Sequence, residues 1–120
     1  MMRRVYDLAY GRAGDKGNIA NISVIARSPQ AYQFLKGWLT AERVKAALGD
    51  LVKGRVVRYE LDNLEAFNFV CYEALDGGGT RSLRIDPLGK SLAGAVLYIE
   101  LPEDAPQMED DHGYPVDLTR

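Results

Sequence analysis

The chain has 120 residues, 47% of them hydrophobic, and a formal net charge of −2, which fits one globular domain able to bury roughly two thirds of its unfolded surface. No basic stripe is present, so nucleic acid and anionic membranes are not expected partners, and no apolar run is long enough for a signal peptide or a membrane span. A soluble, cytoplasmic protein is expected. Cys71, the only cysteine, excludes an internal disulfide and a cysteine-based zinc site, and within "NFVCYEAL" it reads as a small buried hydrophobe.

Residues 3–10 alternate, Tyr6, Leu8 and Tyr10 against Val5, Asp7 and Ala9, as a half-buried first strand would. A glycine-rich loop, residues 11–18, leads to a second strand in which Ile22, Val24 and Ala26 alternate with Asn21, Ser23, Ile25 and Arg27. Ser28 before Pro29 is an N-cap and first-turn pair, and the apolar spacing of Ala31, Leu35, Trp38 and Leu39, then Val44, Ala47, Leu48 and Leu51, predicts a kinked helix over about 29–48. Thr40 is placed to cap its second part, and Gly49 to stop it.

"GRVVRYELDN" and "AFNFVCYEAL" alternate as strands three and four around a short "DNLE" turn. "DGGGTR" predicts a loop. Asp86 and Pro87 open a last helix with Leu88, Leu92, Ala95, Val96 and Ile99 on its apolar face. This gives a folded domain over 1–101 and an acidic, proline-containing tail over 102–120, expected to be mobile. The order ββαββα is the ferredoxin-like order with its last strand moved to the front. The fold class is therefore α+β: a ferredoxin-like two-layer sandwich, a four-stranded, mostly antiparallel sheet with helices on one face. Trp38 is expected to pack on Phe67 and Phe69. The other sheet face is expected to carry Ile25, Val56, Val70 and Tyr72 among Asn21, Ser23, Arg58 and Asn68, and to be covered by a partner or another copy.

Familiar short motifs do not hold. Gly14 to Gly17 has the GxxG form of KH domains but lies between strands rather than helices, and "GKS" at Gly89, Lys90 and Ser91 lacks the earlier glycine of a phosphate loop. His112, the only histidine, sits in the acidic tail and offers no basis for a triad or metal cluster. The glycine-rich stretches 11–18 and 77–82 remain. Backbone amides of Gly14 and Gly17 can form an anion-binding nest beside Arg12 and Lys16, with Thr80 and Arg81 supplied by the second stretch. Asn18, Asn21 and Asn68 are amides that orient a ligand or hold an irregular backbone. Read from residues alone, a tight hairpin with Asp15 bonded to nearby amides stands beside the binding-site reading.

The stretch "GRAGDKGNIANISVIAR" resembles the phrase "ARSGDKGDxANIGVIAR" in the C-terminal domain of AtuA-like proteins, the acyclic terpene utilisation family. Gly11 replaces the first alanine, Ala13 the serine and Asn18 an aspartate. "LTAERV", "RYELDNLEAFNFV" and "GGGTRSLRIDPLGKSL" follow in the same order, so the resemblance covers about residues 3–100. It implies a ferredoxin-like domain working in acyl-CoA-linked breakdown of acyclic terpenes or branched acids; no cofactor is expected. Because the large AtuA-type domain is absent, it implies a small accessory subunit of an AtuA-type large protein. Two alternatives stand beside this. One is an acyl-CoA hydratase or lyase, with Asp15 as proton acceptor and Lys16 stabilising an oxyanion. The other is a homo-oligomeric protein binding a small ligand such as a carboxylate.

Overall fold

A computed structural model describes residues 3–74 and 88–106, without the side chains of residues 88–91. Strands β1 (Ala9–Lys16), β2 (Ile19–Ala26), β3 (Val56–Leu61) and β4 (Ala66–Tyr72) form one sheet in the order β1-β2-β4-β3. Every neighbouring pair is antiparallel. This is the order that follows when the last strand of a ferredoxin-like sheet moves to the front. Helices α1 (Pro29–Trp38), α2 (Ala41–Leu48) and α3 (Leu88–Leu97) cover one face, α1 packing on β2, α2 on β3 and α3 on β1. Among the described residues no helix is long and apolar enough to cross a membrane.

The helix signals act as the sequence implies. Ser28 Oγ accepts from the Ala31 amide at 3.0 Å and Thr40 Oγ1 from the Arg43 amide at 3.1 Å, each satisfying one orphan donor of a first turn. The expected single kinked helix is two helices. Leu39 leaves helical backbone (φ −88, ψ 78), and the chain restarts at the Thr40 cap.

Three expectations need correction. Residues 3–8 are not part of the first strand, which begins only at Ala9: Val5–Asp7 form a 3-10 turn, closed by a 2.9 Å bond from the Arg4 amide to Asp7 Oδ2. Leu8 is consequently buried while Tyr6 and Tyr10 are exposed, so the three do not share an environment. Second, the stretch 11–16 is not loop but most of β1, paired through Lys16 with Ile19, which leaves Gly17 and Asn18 as the whole turn. Third, Trp38 stacks on Phe34 at 5.7 Å under the Arg43 guanidinium. It is Tyr32 that stacks on Phe67, at 4.9 Å.

The core lies between sheet and helices. Ile22, Val24, Phe67, Phe69 and Cys71 point into it from the sheet, Leu35, Val44 and Val96 from the helices, and Leu39 from the joint between α1 and α2. Cys71 is buried as expected, and desolvation pushes its thiol up to about 11. On the sequence side of the domain boundary assigned to the tail, residues 102–106 are tied back: Arg3 donates to the carbonyls of Pro106 and Glu103 at 2.9 and 3.0 Å, and Ala105 is buried.

Candidate functional site

The sheet face away from the helices is set by register, because residues directly opposite on neighbouring strands point to the same side. Crossing the sheet from β1 to β3, its rows are Gly14, Asn21, Val70 and Val57; then Arg12, Ser23, Asn68 and Tyr59; then Tyr10, Ile25, Ala66 and Leu61. Lys16, Ile19 and Tyr72 form the row at the hairpin end. The expected outward placement of Val56 and Arg58 is therefore wrong. They sit opposite Cys71 and Phe69 on the helix side, and Val57, Tyr59 and Leu61 face out instead.

Arg58 explains its own inversion. Its guanidinium donates to the carbonyls of Lys36 and Leu39, both at 2.9 Å, and pairs with Glu60 at 2.6 Å. It thus fills orphan acceptors at the C-terminus of α1 with a charge of the sign that the helix dipole favours. Alongside it, Asp62 accepts from the Tyr32 hydroxyl and from Lys36 Nζ. Burial, then the bond to Asp62, pushes the Tyr32 phenol up to about 12, while the same bond, followed by that from Lys36, holds the Asp62 carboxyl below its usual range. This polar network fastens α1 to the end of β3.

Of the residues singled out in the sequence, the fold gathers Arg12, Gly14, Asn21 and Asn68 in two adjacent rows of the open face. Asn68 Nδ2 donates to Asn21 Oδ1 at 3.4 Å. Lys16 lies on the same face, about 13 Å along the strand from Arg12. Asp15 does not join them: it pairs with the buried Ala20 and so emerges on the helix side of β1. Gly17, with φ +63, forms the turn with Asn18, whose carbonyl accepts from the Ala74 amide at 3.0 Å. A positive φ at the first central residue only is the signature of a type II′ hairpin. The amides of 11–16 therefore belong to a regular strand and do not curl into an anion nest. Thr80 and Arg81, with the second glycine-rich stretch, lie outside the described residues, as do Asp86, Pro87 and His112.

The open face is apolar and aromatic with a polar centre. Tyr10 is 53% exposed, Tyr59 49% and Leu61 38%. Arg27 lies 3.9 Å over the Tyr10 ring and Arg55 4.6 Å over that of Tyr72. No Asp or Glu occupies an outward position of the four strands. At one end is a depression of about 340 Å³, lined by Arg12 and Ser23 on one side and by Ile25, Leu61, Leu64 and Ala66 on the other. Sequence reasoning missed Ser23, Leu61 and Leu64 as site residues. Leu64, 61% exposed in the short 3-10 turn Asp62–Leu64, was visible only as an apolar residue in a turn. Among the described residues no group of three His, Cys, Asp or Glu side chains is arranged to hold a metal ion.

The family model of the AtuA ferredoxin-like domain matches residues 3–102. No curated protein and no solved structure matches the chain.

Proposed function

The chain belongs to the AtuA ferredoxin-like domain family, and from that premise we propose that it is a small accessory subunit, docking through its open sheet face on an AtuA-type large protein. The setting we propose is cytoplasmic, acyl-CoA-linked breakdown of acyclic terpenes or branched acids. The observation that carries the docking reading is the face itself. Strands β1, β2 and β3 present Tyr10, Ile19, Tyr59 and Leu61 to solvent around a polar centre, the pattern of apolar anchors about polar groups that a second protein covers.

Charge favours a different protein over a second copy of this one. Arg12 and Lys16 point outward with no carboxylate at any outward strand position, so two copies packed face to face bring like charges together, which disfavours that pairing. Asp15 and Lys16 emerge on opposite sides of β1, and a shared acid–base pair at these residues is not part of the proposal.

Co-expression with an AtuA-type large protein from the same genome tests it. The two chains are expected to co-elute in size exclusion, and Tyr59→Asp or Val57→Asp is expected to abolish co-elution while leaving the small chain folded. Separate elution of the parent chains, or co-elution undisturbed by both substitutions, overturns the reading.

A further inference from the structure

The depression at the Tyr10 end of the open face combines features that point to a ligand. Arg12 and Ser23 sit directly opposite each other across β1 and β2. Neither side chain has a hydrogen-bond or ion-pair partner among the described residues, whereas most other arginines here are committed. Arg27 donates to the Tyr6 carbonyl at 3.1 Å and covers Tyr10, and Arg58 is held by α1. The rest of the lining, Ile25, Leu61, Leu64, Ala66 and Phe67, has no charge. A second depression, about 420 Å³ between α2 and β3, has Lys45 and Arg55 in its lining, but Lys45 Nζ is spent on the carbonyls of Val52 and Gly54 at 2.8 and 2.5 Å, Arg55 covers the Tyr72 ring, and Glu42 adds a negative charge to the same wall. Of these two, the first pairs an uncommitted guanidinium with an uncharged apolar wall.

We propose that this depression binds a small free carboxylic acid, its carboxylate on Arg12 and Ser23 and its apolar body against Ile25, Leu61, Leu64 and Ala66. One guanidinium beside one hydroxyl matches a planar monoanion that accepts two parallel hydrogen bonds. A phosphate ester is a poorer match, because such groups are held by several cations or by a ring of backbone amides, and here the amides of β1 and β2 that face each other belong to the ladder. Size argues the same way. A volume of about 340 Å³ lies at the low end of ligand pockets, roughly 300 to 1,000 Å³, too small for a whole nucleotide-bearing thioester. The thioester group itself is uncharged, and the charge of its carrier lies on phosphates far along the chain from the acyl body that would meet Ile25 and Leu64. The site therefore selects the free acid over its activated form, and since it lies on the face that the large protein is proposed to cover, it is probed on the isolated chain, where that face is open.

Titration of the isotope-labelled full chain by NMR tests this, with octanoate as probe and octanol and inorganic phosphate as controls. Octanoate is expected to bind saturably and to shift the amides of Arg12, Ser23, Ile25 and Ala66. Octanol, which keeps the body and lacks the charge, is expected to bind roughly ten- to a hundredfold more weakly. Arg12→Gln should weaken octanoate by a similar factor without moving the melting temperature, since the side chain is exposed and unpartnered, and Leu64→Ser should weaken octanoate but not change phosphate. Absence of saturable octanoate binding, equal binding of octanol, equal competition by phosphate, or an Arg12→Gln variant that binds like the parent each overturns the proposal. None of these outcomes bears on co-elution with an AtuA-type protein, so the two readings fail separately.

Discussion

Two glycines three residues apart in one hairpin should respond to the same substitution in opposite ways. Gly17 has φ +63 as first central residue of the turn, a backbone region that costs an L-residue about 1 to 2 kcal/mol and a β-branched one more. Gly17→Val is therefore expected to lose about 2 kcal/mol, a fall in melting temperature of roughly 10 °C for a domain of this size. Gly14 lies in β1 without a positive φ, and a Cβ built there meets nothing within 4 Å. A valine there removes the entropic cost of a strand glycine, about 0.5 to 1 kcal/mol relative to alanine, and supplies a good strand former. Gly14→Val should thus melt at or slightly above the parent. Its new side chain projects beside Asn21 and Val70 on the open face, so the same stable variant should dock a large partner less well. Thermal and urea unfolding of both variants measure the contrast. If Gly14→Val unfolds as easily as Gly17→Val, residues 11–16 are not a strand and the rows of the open face are wrongly drawn.

Phe67 is fully buried against Tyr32, and Phe67→Ala should cost about 3 to 5 kcal/mol. Trp38→Ala, which removes a partly exposed ring stacked on Phe34, should cost only about 1 to 2 kcal/mol, and urea midpoints of the two variants rank them. Stability should also fall on the alkaline side. The Cys71 thiol ionises from an ordinary 9.0 when unfolded but only at about 11 when folded, and the Tyr32 phenol from 10.0 but only at about 12. Between each pair of values the unfolded chain has given up a proton that the folded chain retains, so unfolding becomes easier as pH rises. Tyr32→Phe is expected to flatten the loss above pH 10 while leaving its onset near 9, which urea titrations at stepped pH would show; an unchanged profile refutes the assignment.

The elements that were legible in the sequence are those in which local pattern and tertiary role agree. β2 and β4 alternate cleanly because they are central strands with one face in the core, and Ser28, Pro29 and Thr40 mark helix starts through their own hydrogen bonds. β1 was misplaced because its propensities run the other way. "GRAGDK" holds poor strand formers and extends only because β2 supplies a ladder, while the alternating residues before it are bent by the Arg4 to Asp7 bond. The faces of β3 were inverted for another reason. Both parities of "VVRYEL" contain apolar residues, and the arginine that reads as solvent-facing is drawn inward by the free carbonyls at the end of α1.

The candidate site shows how a wrong local assignment can still gather the right residues. Arg12, Gly14 and Lys16 read in sequence as members of a loop; as alternate residues of a strand they share one face more strictly than a loop would require. The same alternation expels Asp15, which sequence proximity had placed beside Lys16. What no periodicity reveals is convergence between distant elements. Leu64 reaches the depression from the turn between β3 and β4, and Ser23 becomes notable only because the register sets it opposite an arginine without a partner among the described residues. Pairing register, more than motif, therefore determines what this face can bind. A shift of β1 by a single residue against β2 would turn Arg12 toward the helices and leave the open face without its charged end.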